Sequence, residues 1–270
     1  MPKPFFSIII PSLNEAKYLP KLLGDLTAQT FHDFEVIVVD GQSDDQTVSK
    51  AQSFIKSLPH LTILTSPTRH VCVQRNQGAK HAKADVLIFM DADNRLPPYF
   101  LQGIKYHLES ESVDICTVWS KPDKSNPTND IISLGINLGL EIQNNISPRF
   151  ILESMIIIPA KSFNKIGGFN TTTNYAEGIS FISQANKAGL SFTIFRDPTY
   201  QYSFRRFRKF GMLHTLKVYT QLGISNLLGD EYKNKKAKEL YPMLGGSLFT
   251  VSKKAKNKFL LNIIKLLKDF

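Results

Sequence analysis

The feature that most constrains the fold is an unbroken apolar run, Val86–Met90, which ends directly at two aspartates, Asp91 and Asp93. A strand with one face in water would alternate polar and apolar residues. An unbroken run instead indicates a strand covered on both faces, as in a parallel α/β sheet. Ligands of such sheets bind in the crevice beyond the carboxyl ends of the strands. We therefore expect Asp91 and Asp93 to lie at the functional site.

The order of the predicted strands and helices indicates that this strand belongs to a larger parallel sheet. Over the first 90 residues, four apolar runs alternate with three helical patterns. This β-α-β-α-β-α-β order predicts an α/β fold with a doubly wound, mostly parallel sheet and right-handed crossovers. We expect Asn14 to cap the first helix. Beyond Pro97, further strands are predicted at residues 112–120, 150–159 and 191–195.

The net charge of +10 is carried by the last quarter of the chain. Residues 203–270 contain 15 Lys and Arg against four acids, a balance of +11, whereas the first 202 residues hold 18 bases and 19 acids. A basic, helical C-terminal region is therefore expected to behave differently from the rest of the chain.

The sequence also allows a prediction of the cellular compartment in which the protein is found. The two cysteines, Cys72 and Cys116, form neither a CxxC pair nor a disulfide framework. The start of the chain lacks the apolar stretch and cleavage site of a signal peptide. No uncharged apolar stretch reaches the roughly 18 residues of a membrane-spanning helix. We expect a cytoplasmic protein.

Polar motifs follow three of the predicted strands: PSLNE at 11–15, DGQSDDQT at 40–47 and DADN at 91–94. No GxGxxG or GxxxxGK[ST] loop is present, so neither a dinucleotide site nor a P-loop is indicated. Phosphates can instead be held through Mg²⁺ or Mn²⁺, which bind one or two carboxylates plus substrate phosphates. Side chains repeat every second residue on extended backbone, so Asp91 and Asp93 should project to the same side.

The same motifs resemble, in order, those of family 2 glycosyltransferases with the GT-A fold. The resemblance rests on SIIIPSLNE, FEVIVVDGQSDDQT, RNQGAKHAKADVLIFMDADN and IGGFN…AEGISF, and it extends between residues 5 and 200. It implies a GT-A domain with a Rossmann-like sheet flanked by helices at residues 1–204. Residues 205–270 would then form the basic helical extension. Members of this kind invert the anomeric configuration in a single in-line displacement.

The resemblance implies roles for residues on the donor side of the site. Pro11, Leu13 and Glu15 would line the nucleotide pocket at the end of the first strand. Asp40 would hydrogen-bond the base, which is uracil in many members, and Arg75 would help to hold the nucleotide.

The next motif of the resemblance supplies the sugar and metal contacts. Asp91 would touch the ribose or the donor sugar, and Asp93 would ligate the metal on the diphosphate. On the acceptor side the family usually carries a Glu-Asp pair whose Asp is the catalytic base, but this chain has Glu177 followed by Gly178. Either Glu177 is the base, or the acceptor is already anionic, such as a lipid phosphate, or the enzyme is degenerate.

The basic C-terminal region has several interpretations. The stretch SFRRFRKFGM begins at Ser203 and interleaves four basic residues with aromatic ones. It can clamp a diphosphate or bind a membrane surface. Single-stranded nucleic acid ranks behind both because no RNA-binding motif accompanies the stretch. The segment Lys254–Lys268 separates into an apolar stripe and a basic face. We expect that face to lie on anionic lipid, although a helix packed on the domain is the alternative.

The resemblance to family 2 glycosyltransferases, taken with these patterns, implies a metal-dependent, inverting glycosyltransferase that uses a nucleoside-diphosphate sugar, with a UDP-sugar as the expected donor. The expected acceptor is lipid-linked or a cell-envelope glycan, and the expected location is the cytoplasm, peripheral on the inner face of the cell membrane. The alternative is a degenerate protein that binds a nucleotide sugar or a glycan without catalysis, which the Gly178 departure would favour.

Overall fold

A computed structural model of the protein describes residues 3–146, 148, 151–172, 177–211 and 215. Within these residues, seven strands form one sheet in the order β3-β2-β1-β4-β6-β5-β7. Their bounds are β1 (Phe6–Ser12), β2 (Phe34–Asp40), β3 (Leu61–Thr65), β4 (Val86–Met90), β5 (Ile115–Pro122), β6 (Met155–Pro159) and β7 (Phe192–Tyr202).

One strand of this sheet runs against the others. The pairs β1–β2, β1–β4, β2–β3 and β5–β7 are parallel. Strand β6 is antiparallel to both of its neighbours, with Met155 at its start facing Met90 at the end of β4. The predicted mostly parallel, doubly wound α/β sheet is confirmed. The reversal of β6 brings the residues that precede it to the carboxyl edge of the parallel strands.

Helices cover both faces of the sheet, as the apolar strands require. Their bounds are α1 (Leu19–Thr27), α2 (Thr47–Gln52), α3 (Val71–His81), α4 (Phe100–Ser110), α5 (Pro127–Ile146), α6 (Ala160–Lys165), α7 (Glu177–Lys187) and α8 (Arg205–Phe210). Leucines of α1 and apolar side chains of α4 pack with alternate strand residues on one face. Side chains of α3, α6 and α7 pack on the other face. Successive side chains of each strand point to opposite faces of the sheet, so each strand contributes to two hydrophobic cores, one on each face.

The prediction that Asn14 caps the first helix is wrong. Helix α1 begins at Leu19, with Pro20 in its first turn, where a missing N–H costs no helical hydrogen bond. Asn14 adopts a left-handed conformation with φ 56°. Its Oδ1 accepts from the Asp44 N–H at 2.7 Å, and its own N–H donates to Ser43 Oγ at 2.8 Å. The side chain joins two loops at the carboxyl edge instead of ending a helix.

The predicted domain boundary at residue 204 falls just before α8. The first residue of that helix, Arg205, contacts Glu15, which follows β1. Most of the expected basic region, including the Lys254–Lys268 segment, lies outside the described residues. In the ranges that are described, no helix is both long and apolar enough to span a membrane.

The close contact between α3 and β1 gives a first prediction. A Cβ added at Gly78 would lie 2.4 Å from Ile9 Cγ2 and 3.2 Å from Val39 Cγ2. Gly78→Ala should therefore lower the free energy of unfolding by about 1–3 kcal/mol through overpacking. Gly24→Ala in α1, where nothing lies within 4 Å of the added atom, should raise it by about 0.5–1 kcal/mol. Urea unfolding of both variants tests this, and stabilisation by Gly78→Ala would contradict the packing.

Candidate active site

A cleft opens at the carboxyl edge of the sheet, beside the ends of β1 and β4. The chain order reverses between these two strands, which is where open α/β sheets bind their ligands. The cleft brings together seven of the eight residues predicted for the site, namely Pro11, Leu13, Glu15, Arg75, Asp91, Asp93 and Glu177.

The floor of the cleft is built around the buried guanidinium of Arg75, whose side chain is only 2% exposed. Its Nη2 donates to Asp91 Oδ1 at 3.0 Å and to the main-chain oxygen of Glu153 at 2.9 Å. The guanidinium also lies over the ring of Phe169, 5.2 Å from its centroid. Arg75 Nε and Nη1 have no hydrogen-bond partner among the described residues. Arg75 therefore links three segments and keeps donors suited to an anionic ligand.

A second arginine, Arg205 of α8, crosses the cleft from the far edge of the sheet. Its two terminal nitrogens donate to both carboxylate oxygens of Glu15, at 2.6 and 2.8 Å. Its Nε lies 2.9 Å from Asp93 Oδ2, and its guanidinium stacks 4.8 Å from the ring of Tyr18. Strand β7 is parallel to β5 and ends at the carboxyl edge, so its continuation returns to the site. Arg205 therefore belongs to the cleft.

Asp40 is the one predicted site residue that does not line this cleft. It ends β2 and is buried, and its two carboxylate oxygens accept from the N–H and hydroxyl of Ser43 at 2.9 and 2.5 Å. Asp40 thus orders the loop after β2, next to the loop that carries Asn14. Its predicted contact with the base stays a prediction.

Burial raises the pKa of two acids of the cleft, Glu15 and Asp91. Desolvation raises the pKa of Glu15 to about 7, although Arg205 opposes the shift. Desolvation likewise raises the pKa of Asp91 to about 6 against the attraction of Arg75. Acids with raised pKa values and matched cations in a cleft are typical of functional sites.

The side of the cleft next to α7 contains an acid, Glu153, that the sequence did not single out. Glu177 begins α7 and is 6% exposed. Glu153, in the loop before β6, lines the same cleft. Its Oε1 accepts from the N–H of Gly178 at 2.7 Å. No strand-end motif marked this residue, because it precedes its strand instead of following it.

The donor set of the cleft fits a divalent cation that arrives with a diphosphate. Within the described ranges, no group of three His, Cys, Asp or Glu side chains is arranged to hold a metal ion. Mg²⁺ and Mn²⁺, however, need only one or two protein carboxylates beside phosphates and waters. Asp93, which contacts Arg205, would offer one such carboxylate, while Asp91 is held by Arg75.

Comparison with known families shows to which protein family the chain belongs. The model of Glycosyl transferase family 2 matches residues 7–188, well over half of the chain. The chain belongs to glycosyl transferase family 2. The resemblance predicted from the four motifs is confirmed, and residues 7–188 carry the domain of this family.

Relatives of this family 2 glycosyltransferase carry related names. An uncharacterized glycosyltransferase of Haemophilus influenzae is 31% identical over 182 residues, which cover 65% of this chain and 60% of that protein. A PGL/p-HBAD biosynthesis glycosyltransferase of Mycobacterium tuberculosis is 40% identical over 97 residues, covering 36% of this chain and 38% of that protein. The chain thus spans less than two thirds of the length of either relative.

Solved structures share the fold. TarS of S. aureus, residues 1–349 in complex with UDP-GlcNAc, matches with a TM-score of 0.59 and 22% identity. The match covers 74% of this chain and 58% of that one. The same protein in complex with UDP matches with a TM-score of 0.60 and 17% identity, over 96% and 78% of the two chains. This likeness confirms the GT-A fold.

The buried Arg205–Glu15 pair predicts a pH-dependent loss of stability in Arg205→Met. Removing one partner of a buried ion pair costs about 3–5 kcal/mol. Arg205 lowers the pKa of Glu15, so without it that pKa rises further above its ordinary value. At about pH 5.5 Glu15 is then protonated and needs no partner, whereas at about pH 8.5 its buried charge is uncompensated. The loss of melting temperature should therefore be larger at the higher pH.

The matched control for this experiment is Arg196→Met. Arg196 makes the same two-pronged contact with Glu141, at 2.8 and 2.7 Å, but its side chain is 69% exposed. Exposed pairs contribute little to stability, so this variant should melt like the wild type at both pH values. An equal effect of the two substitutions would show that the Glu15 pair is not buried in solution.

Proposed function

We propose that this family 2 glycosyltransferase transfers a sugar from a UDP-sugar to an acceptor hydroxyl with inversion at the anomeric carbon. The observation that carries the proposal is the convergence of Arg75, Asp91 and Asp93 at the carboxyl edge of the sheet. A buried guanidinium with free donors suits phosphate oxygens. The adjacent carboxylates suit a sugar hydroxyl and a divalent cation.

The donor assignment has support from the neighbours in fold. TarS is described in complexes with UDP-GlcNAc and with UDP. In this chain Pro11 lies in the last part of β1, and Leu13 and Glu15 follow that strand. All three would line the nucleotide pocket. Asp40 would receive a hydrogen bond from the base, in addition to those from Ser43.

Asp93 would hold Mg²⁺ or Mn²⁺ together with the diphosphate. A cation bound there would act as a Lewis acid on the leaving diphosphate. The chain's own residues would bind and orient the donor and the acceptor. Arg75 would orient the donor and keep Asp91 toward the sugar, and Glu177 at the start of α7 would face the acceptor. Arg205 and Arg206, which also line the cleft, would contact phosphate oxygens after Arg205 leaves Asp93.

The proposed acceptor is lipid-linked or a cell-envelope glycan, reached from the inner face of the cell membrane. One support is the balance of +11 in residues 203–270. A second support is an apolar stripe on one face of α5. The side chains of this stripe are exposed and recur every three or four residues. They are Ile131, Leu134, Leu138, Ile142 and Ile146. An exposed apolar patch of this kind marks an interaction surface.

Release of UDP from a panel of UDP-sugars in the presence of Mn²⁺ tests the proposal. We expect turnover with at least one donor and its loss when the metal is chelated. Binding of UDP-sugars without any turnover would favour the alternative, a degenerate nucleotide-sugar or glycan-binding protein at the membrane surface. The specific observation that keeps this alternative open is the glycine at position 178.

The two donor-side aspartates should respond differently to substitution. Asp93→Ala should abolish the gain in UDP affinity that Mn²⁺ provides, because it removes the proposed metal ligand. Asp40→Ala should weaken UDP binding by about 1–3 kcal/mol with or without Mn²⁺, because it removes a hydrogen bond to the base. Asp85→Ala, whose side chain is 83% exposed away from the cleft, is the control. Titration calorimetry of UDP measures all three, and a Mn²⁺ effect that survives Asp93→Ala would contradict the metal assignment.

Membrane association makes a separate prediction. Binding of the full chain to vesicles should rise with their content of anionic lipid and fall with salt, because attraction between surface charges is screened within roughly 8–10 Å at 0.1–0.15 M. Deleting residues 253–270 should reduce co-sedimentation with vesicles and leave UDP release intact. Undiminished vesicle binding together with a large drop in melting temperature would show instead that this segment is structural.

A further inference from the structure

The loop before β6 reaches the cleft because that strand runs against its neighbours. Its residues, Ile151–Ser154, therefore arrive at the carboxyl edge beside the end of β4. The main chain of this loop is held from both sides. Arg75 Nη2 donates to the Glu153 oxygen at 2.9 Å, and the Asp91 N–H and the Asn94 side chain donate to the Ser154 oxygen at 3.2 and 2.5 Å. Glu153 is thus fixed next to the donor side of the site.

The carboxylate of Glu153 lies where a side chain at position 178 would begin. A Cβ built on Gly178 would lie 2.5 Å from the Ile151 oxygen and 3.1 Å from both Cγ and Oε1 of Glu153. No residue larger than glycine fits there without displacing the loop. The Gly178 N–H instead donates to Glu153 Oε1 at 2.7 Å. The acid that the sequence lacks after Glu177 is replaced in space by an acid from another segment.

The surroundings of Glu153 suit a proton acceptor. The groups that face it are Glu177 and the Gly178 N–H from α7, Arg75 and Cys72 from α3, and Asp91 from the end of β4. Burial, and next to it the charge of Glu177, raise the pKa of Glu153 well above its ordinary value, while the Gly178 N–H and Arg75 oppose the shift. A carboxylate with a raised pKa accepts a proton more readily than an ordinary one.

An independent observation favours a ligand in this part of the cleft. Arg75 is almost completely buried, lines the cleft, and keeps Nε and Nη1 without a hydrogen-bond partner among the described residues. Buried polar groups without partners are rare, and each calls for an explanation such as a bound ligand. The same guanidinium holds the main chain of Glu153. An anionic donor bound to Arg75 would therefore lie next to the Glu153 loop.

We infer that Glu153 is the catalytic base of this enzyme, an assignment that rests on the proposed glycosyl transfer. The acceptor oxygen forms a bond to the anomeric carbon while the bond from that carbon to the diphosphate breaks. The electron pair of the broken bond leaves with the diphosphate, and the acceptor proton passes to Glu153. Glu177 acts through Glu153, because its charge raises the pKa of the base. The proton then returns to solvent.

The test uses the full chain with Mn²⁺ and UDP-glucose, UDP-galactose or UDP-N-acetylglucosamine, with water as the acceptor and UDP release as the signal. Glu153→Gln should lower kcat by roughly 10²–10⁴-fold, with UDP affinity unchanged because the proposed nucleotide contacts are made by other side chains. Glu153→Asp, which retains a carboxylate, should recover part of the rate. Glu111→Gln, the same change on an exposed residue at the end of α4, should alter neither quantity.

The pH dependence separates the base from its neighbour. The base must be ionised, so wild-type kcat should fall as pH drops through the raised pKa of Glu153. Glu177→Gln removes a charge that raises this pKa, and the fall should therefore move to lower pH. In Glu153→Gln the fall should disappear, while in Glu153→Asp it should persist.

Each contrary outcome has a distinct meaning. Wild-type kcat and an unchanged pH profile in Glu153→Gln would overturn the assignment of the base and leave glycosyl transfer standing. A pH fall that persists in Glu153→Gln and disappears in Glu177→Gln would make Glu177 the base. Absence of UDP release by the wild type from all three donors would overturn the proposed function, and the base assignment with it.

Discussion

The buried guanidinium of Arg75 is the interaction on which the rest of the site depends. It joins the end of β4 through Asp91, the loop before β6 through the Glu153 oxygen, and the ring of Phe169. A buried cation is tolerated only where ion pairs and hydrogen bonds compensate its lost hydration. The positions of these three segments are therefore coupled through one side chain.

The direction of a single strand explains the composition of the cleft. The parallel strands contribute the residues that follow them, such as Glu15 after β1 and Asp93 after β4, and the continuation of β7 contributes Arg205. The antiparallel β6 contributes the residues that precede it, among them Glu153. The resemblance implies a second acid after Glu177, and this chain has Gly178 there. Glu153 brings an acid next to that position from another segment.

The sequence was sufficient for the elements that obey local rules. Unbroken apolar runs identified the central strands, and the carboxyl-edge rule placed Asp91 and Asp93 in the cleft. Contacts between segments that are distant in the chain could not be predicted from the sequence. Asn14 carries a helix-cap signal, but a hydrogen bond from the Asp44 N–H, 30 residues away, holds its side chain. Glu153 could not be selected because no local pattern reveals that β6 is antiparallel.

The cleft holds its charges in ion pairs, which the proposed donor and metal would rearrange. Arg205 neutralises Glu15 and contacts Asp93, so the carboxylate proposed for the metal is already engaged by a cation. The most direct test of the account is a crystal structure with UDP and Mn²⁺, with the metal located by its anomalous scattering. The account predicts a metal peak bonded to Asp93 and the diphosphate, with Arg205 released from that carboxylate. A nucleotide bound away from the carboxyl ends of β1 and β4, or Asp93 still paired with Arg205 and no metal beside it, would contradict the account.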